Sequence, residues 1–232
     1  MGGIMKRFST VLMGAVVFST LFLVSAQKTN AAEVLTPNQM KSQMTDQDIK
    51  EATPHKEKAA GTDDLGMTID QTQPAISERS AYPDVNNYIY QNNFKHPDIT
   101  SELHQFAMFG YNTNDGKPTG VVVHYTDNPN NYSARNEANY VINGGWQSAF
   151  VHTFIDASSI LNIHDTDYGA WGSGAVGNKY FAQFEMVTAK NFNDFAKTTS
   201  YSAWYTAYLL NKYKLTPSIS TRTQWGGINL VA

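Results

Sequence analysis

The segment GVVVHYTD, residues 120–127, joins a strand-like run of valines to a run of polar, reactive side chains. Consecutive valines are typical of a strand that is buried on both faces, as in a parallel sheet. This strand ends in His124, which is followed by the phenol of Tyr125 and by the small oxygen-bearing side chains of Thr126 and Asp127. Either His124 is a core histidine with satisfied hydrogen bonds, the commoner fate of a single histidine, or the strand presents it to a functional site.

Two further strands are predicted, SAFVHTFID over 148–156 and FAQFEMV over 181–187. In the first strand, side chains alternate between the two faces, and one face carries Phe150, His152, Phe154 and Asp156. In the second, Gln183 and Glu185 share a face. The spacing of His124, His152 and Glu185 is not a known motif. Ionisable groups on apolar strands nevertheless tend to cluster, face water or hold a metal, because unpaired burial is costly.

Two amphipathic helices are predicted, one after the candidate N-cap Asp84 and one within TTSYSAWYTAYLLNKYK, residues 198–214. The second helix carries an aromatic stripe that we expect to be core: Tyr201, Trp204, Tyr205, Tyr208 and Leu209. His55 and His164 lie among polar residues, so both are expected to be exposed.

Composition limits the classes of partner and of site. The chain has 232 residues, a formal charge of -3 and no cysteine. It shows no basic stripe of the kind that nucleic acids require, so we expect no nucleic-acid partner. Disulfides, thiolate nucleophiles and Cys-rich zinc sites are excluded, so any metal must be held by nitrogen and oxygen.

The N-terminal third is predicted to be an export signal followed by a propeptide or linker. Lys6 and Arg7 precede an apolar run, VLMGAVVFSTLFLVSA, and then small residues, so residues 1–32 are predicted to be a secretory signal peptide. We therefore expect an exported protein without stable membrane insertion after cleavage, and export without cysteine suits a bacterial cell envelope. Residues 33–81 mix both charge signs and lack a sustained apolar face, which favours a flexible propeptide or linker in which one short helix could form. The folded domain is predicted over 82–232.

Four motifs occur in order: GVVVHYTD, NGGWQSAFVHTFID, TDYGAWGSGAVGN and FAQFEMV. In these motifs the chain resembles the zinc-dependent N-acetylmuramoyl-L-alanine amidases, specifically the amidase domains of staphylococcal and listerial autolysins. The resemblance covers residues 82–217. It implies a single α/β domain with a central mixed β-sheet flanked by helices, of the amidase type 2 or peptidoglycan-recognition-like kind. It also implies a monomer that hydrolyses the amide bond between N-acetylmuramic acid and L-alanine in peptidoglycan.

The same resemblance assigns roles to particular residues. It implies that His124 is the first zinc ligand and that Glu185 is the catalytic glutamate that takes a proton from zinc-bound water. Zinc would lower the pKa of that water and polarise the amide carbonyl. It also implies four substrate-binding residues near the muramyl-peptide groove: His152, Trp171, Gly174 and Asn178.

The sequence also departs from the family. There the second histidine and an aspartate follow the long helix, but residues 195–232 contain no His, Asp, Glu or Cys. We expect either an amidase domain that is incomplete at its C-terminus, through a frameshift or premature stop, or a natural short paralogue that binds wall fragments without cutting them. Tight zinc binding is not expected. An envelope glycosidase with Asp156 and Glu185 as paired carboxylates is a third interpretation, which the resemblance disfavours.

Overall fold

A mixed β-sheet of six strands, in the order β1-β4-β3-β5-β2-β6, forms the centre of the computed structural model. The structure describes residues 35–62, 65–67, 84–217 and 230–231, so the predicted signal peptide lies outside the described residues. The strands are β1 Ile99–Ser101, β2 Gly120–Tyr125, β3 Thr153–Ile155, β4 Ile160–Asn162, β5 Phe181–Met186 and β6 Leu230–Val231. β2, β5 and β3 are neighbouring parallel strands, and β6 is antiparallel to β2. The predicted mixed sheet is confirmed.

Six α-helices and one 3-10 turn accompany the sheet in the described part of the chain. The helices are α1 Pro37–Ser42, α2 Asp46–Glu51, α3 Val85–Asn92, α4 Ala134–Ile142, α5 Gly174–Asn178 and α6 Phe192–Tyr213, and the 3-10 turn is Gly145–Gln147. Asp84 caps α3 as predicted, since its side chain accepts from two backbone N–H groups of the first turn. Fewer residues of the aromatic stripe of α6 are buried than predicted: Tyr205 is buried, but Tyr208 is 41% exposed.

Strand β2 is buried on both faces, as its valines predicted. Val121 packs in a cluster with aromatic and leucine side chains of α6. Val122, which points to the opposite face, packs with Met40 of α1 and with Tyr180. His124 lies on the same face as Val122 because strand side chains alternate. The sheet therefore presents His124 on the face that α1 covers.

The segment before the domain differs from the predicted flexible linker over residues 35–62 and 65–67. Both α1 and α2 begin with a capping box, and Ala52 and Leu65 are fully buried in the main core cluster. Sequence reading missed this packing because the buried apolar residues are few and far apart, so they create no periodic face. Residues 33–34, 63–64 and 68–81, the rest of that prediction, lie outside the described residues.

None of the described helices is both long enough and apolar enough to cross a lipid bilayer.

Candidate functional site

His124 and Glu185 are register partners on the adjacent parallel strands β2 and β5. Both lie near the C-terminal ends of these strands, and partner residues in a parallel pair project to the same face. His124 is 8% exposed and Glu185 is fully buried. The tertiary structure therefore brings together the two residues that the resemblance placed at the reacting centre.

The imidazole of His124 is in contact with a glycine-rich segment, residues 169–178, which we call the site loop. Ser173 Oγ lies 3.2 Å from His124 Nε2. The neighbouring Gly172 approaches so closely that a Cβ there would lie 2.5 Å from Gln183 Oε1 and 3.4 Å from His124 Nε2. Glycine permits this approach without displacing either side chain, so the loop itself forms one wall of the site.

The site loop is held in shape by the amide of Asn178, which is fully buried. Asn178 Oδ1 accepts hydrogen bonds from the backbone N–H groups of Gly172 at 3.1 Å and Ser173 at 2.8 Å. The same oxygen accepts from Gln183 Nε2 at 3.2 Å. Trp171 is also buried, and its Nε1 donates to Glu51 O of α2 at 2.9 Å. Of the residues expected at the groove, Trp171 and Asn178 therefore have their side chains inside the loop rather than on its surface.

Gly174, another residue expected at the groove, begins α5 with a φ of 66°. This φ lies in the left-handed region, which glycine adopts without steric cost. Gly174 therefore lets the backbone of the site loop turn into α5.

His152 lies in the core behind the site. Its Nε2 donates to Tyr168 O at 2.8 Å, and its Nδ1 accepts from the backbone N–H of Gln183 at 3.0 Å. Burial, with a smaller contribution from nearby His164, lowers the pKa of His152 to about 3. His152 is therefore a neutral imidazole with both ring nitrogens engaged by the protein.

This pKa predicts an acid-sensitive fold. Between pH 6.5 and 3 the unfolded chain protonates this imidazole and the folded chain does not, so stability is complete above pH 6.5 and falls as the pH falls toward 3. We expect His152 alone to lower the free energy of unfolding by about 1.5 kcal/mol between pH 6.5 and 5. Urea titrations at several pH values measure this. The loss of unfolding free energy with falling pH should be smaller in His152→Gln and unchanged in the matched control His55→Gln. An unchanged pH dependence in His152→Gln would contradict the lowered pKa.

His164 corrects the expectation of an exposed loop histidine, because it is fully buried. Its ring lies between Phe106 and Phe150, with centroid distances of 5.7 and 5.0 Å, and its Nδ1 donates to His104 O at 3.1 Å. Burial lowers its pKa. The polar sequence neighbours misled the prediction because burial here depends on aromatic residues distant along the chain. His55 is exposed as expected, although its ring packs nearly perpendicular to that of Trp171, with ring centroids 4.7 Å apart.

Asp156, the second carboxylate of the glycosidase interpretation, is engaged in a turn. Its Oδ2 accepts from the backbone N–H of Ala134 at the start of α4, and its Oδ1 accepts from the backbone N–H and hydroxyl groups of Ser158 and Ser159. A carboxylate that already accepts five hydrogen bonds holds the local backbone. The structure gives it no role as an acid or nucleophile opposite Glu185.

A metal site is only partly assembled by the described residues. They contain no group of three or more His, Cys, Asp or Glu side chains that could hold a metal ion. A catalytic zinc needs three protein ligands and an open position for water. His124 and Glu185 supply one imidazole and one carboxylate, so the described donor set does not fit a complete zinc site.

Comparison with known proteins agrees with this fold. The sequence profile of the family Amidase_2, N-acetylmuramoyl-L-alanine amidase, matches residues 114–225. The fold is similar to that in the crystal structure of the Staphylococcus aureus hydrolase AmiA in complex with its ligand, with a TM-score of 0.56. The two sequences are 34% identical, and the match covers 66% of this chain and 73% of that chain. The chain belongs to the N-acetylmuramoyl-L-alanine amidase family. The predicted family and fold class are therefore confirmed.

Two curated relatives extend the comparison. Protein Ami of Listeria monocytogenes is 35% identical over 212 residues, which is 90% of this chain and 23% of that protein. A bifunctional autolysin of Staphylococcus aureus is 38% identical over 134 residues, 57% of this chain and 11% of that protein. The chain thus spans less than a quarter of the length of either relative. The Ami match includes much more of this chain than the autolysin match does.

Proposed function

We propose that this amidase-family chain is a peptidoglycan hydrolase, an autolysin that cleaves the amide bond between N-acetylmuramic acid and the L-alanine of the stem peptide. The observation that carries the proposal is the in-register pair of His124 and Glu185 at the strand ends. The family membership and the autolysin relatives support it. The proposed setting is the cell wall, outside the cell, with the chain acting as a monomer after loss of residues 1–32.

Glu185 is the proposed general base. In the proposed reaction its carboxylate takes a proton from the attacking water and returns it to the departing nitrogen of L-alanine. Its full burial strengthens its electrostatic interaction with charge that develops nearby. Ser173, on the rigid site loop, limits the orientations that the His124 ring can adopt.

Members of this family are generally zinc-dependent, and zinc is the proposed cofactor with His124 as its ligand. Zinc would supply an acidified water and a polarised carbonyl. The described residues do not complete its ligand set. That shortfall favours a second candidate function, binding of muramyl peptides without cleavage.

The products formed from purified peptidoglycan distinguish these functions. We expect the chain, supplied with excess zinc, to release new amino termini of L-alanine, identified after dinitrophenylation. Glu185→Gln should lower that release about a hundredfold, the usual scale of a general base, while the exposed-site control Glu57→Gln should not. Co-sedimentation with the wall without new amino termini would favour the binding function. New reducing sugars without new amino termini would contradict the amidase.

A further inference from the structure

Residues 35–62 and 65–67 contact the domain at several points, and we call these residues the N-terminal strap. Its helices α1 and α2 contact α5 and the residues around it. Backbone oxygens of the strap accept from side chains of the domain: Met40 O from Tyr180 Oη, Gln43 O from Asn112 Nδ2, and Gly66 O from Tyr140 Oη. The strap is therefore bonded through its main chain to several separate parts of the fold.

A buried lysine adds charge to this docking. Lys179 directly follows α5, its side chain is 4% exposed, and its Nζ lies 2.9 Å from Asp48 and 2.8 Å from Glu51 of the strap. The backbone N–H of Thr45 and then Lys179 lower the pKa of Asp48 to about 2, so this carboxylate is ionised at neutral pH. Removing the partners of a buried cation leaves it uncompensated, which costs far more than losing an exposed ion pair.

A polar path leads from the strap to the site. Asn178 Nδ2 donates to Ala52 O of the strap at 2.8 Å, while Asn178 Oδ1 accepts from the backbone N–H of Ser173 at 2.8 Å. Ser173 Oγ in turn contacts His124 Nε2 at 3.2 Å. Trp171 makes a second link, through its bond to Glu51 O. The strap thus holds the site loop directly at Trp171 and Asn178, and through Asn178 it holds Ser173.

We propose that the N-terminal strap is a positioning element of the site, and that Asn178 is the positioning residue through which it places Ser173 against His124. The strap acts on the site through these hydrogen bonds to the site loop. It restricts the site loop, and the loop restricts the His124 ring. The inference rests on the proposed function only in taking His124 as a residue of the reacting centre.

The test uses two double variants of the whole chain that change its charge equally. Asp48→Asn with Glu51→Gln removes both partners of Lys179. Asp46→Asn with Glu57→Gln changes the same strap at exposed residues that form no ion pair within the described structure. Strap release is measured as the rate of tryptic cleavage after Lys50 and Lys56. The orientation of the site is measured by the ring-nitrogen NMR signals of His124 in metal-free protein, assigned by their loss in His124→Gln.

We expect the first double variant to raise strap cleavage about tenfold, corresponding to about 1.4 kcal/mol of weaker docking. It should also move the His124 ring signals toward those of an exposed histidine, with the second double variant unchanged in both respects. Ser173→Ala shows how the His124 ring signals respond to loss of the contact with Ser173. It should move these signals without faster cleavage of the strap.

Faster cleavage with unmoved His124 signals would overturn the proposal, and so would unchanged cleavage. Neither readout requires hydrolysis of peptidoglycan. A chain that lacks amidase activity can therefore still confirm the strap's role, so failure of the proposed function and failure of this inference are distinguishable.

Discussion

Titration of the 232-residue chain with zinc is expected to give a dissociation constant in the micromolar range or weaker. Three protein ligands hold a catalytic zinc, and the described residues bring one imidazole and one carboxylate to the strand ends. Missing ligands should cost about 4 kcal/mol of binding free energy, which is about a thousandfold in affinity relative to a nanomolar site. In addition, Glu185 cannot serve readily as a ligand and remain the free base.

Calorimetry with competing chelators measures this affinity. His124→Ala should abolish what specific binding there is, whereas His96→Ala, which removes an exposed imidazole, should leave it unchanged. Equal losses in the two variants would show that the zinc binds adventitiously. Stoichiometric binding at nanomolar zinc, lost in His124→Ala, would contradict the expected weak site.

Gly169→Ala is expected to destabilise the fold by about 3 kcal/mol, near the upper end of the cost of overpacking. A Cβ at this position would lie 2.1 Å from Phe109 Cε2 and 2.6 Å from the backbone oxygen of Asn178. Phe109 is 5% exposed and Asn178 O belongs to the main chain, so neither neighbour can move away cheaply. For a chain of this size the melting temperature should fall by about 10 °C.

Gly110→Ala is the matched control for that substitution. Gly110 directly follows Phe109, a Cβ there would meet nothing within 4 Å, and its φ is not positive. Its effect should stay within about 0.5 kcal/mol. Thermal and urea unfolding of both variants measures the difference. Equal stabilities for the two variants would contradict the close packing of the site loop against Phe109.

Much of the fold could be read from local patterns. The valines of β2 predicted a strand buried on both faces, and the N-cap Asp84 predicted the start of α3. The strand predicted over 148–156 is regular only over β3. Before β3, His152 N still donates to Gln183 O of β5, but Phe150 N donates to Trp171 O of the site loop. Local alternation cannot show which partner an extended backbone takes.

The site was only partly predictable for the same reason. The sequence placed His124 and Glu185 on separate strands, and their alignment on neighbouring strands depends on a register that no spacing motif encodes. Ser173 and Gly172 were missed as neighbours of His124, although the glycine-rich GSG within the loop was a signal of close backbone approach. Gln183 was seen to share a face with Glu185, but its bonds to the loop could not be foreseen.

By itself the amino-acid sequence determined the class of protein, the principal strands, the helices α3 and α6, and the kinds of donor available to a site without cysteine. Those properties follow from side-chain periodicity, capping residues and composition, which are local. The burial of His152 and His164 and the docking of the strap were decided only by tertiary structure. Burial and the satisfaction of hydrogen bonds depend on partners far apart in the chain, such as Asn178 with Ala52, so no local pattern contains them.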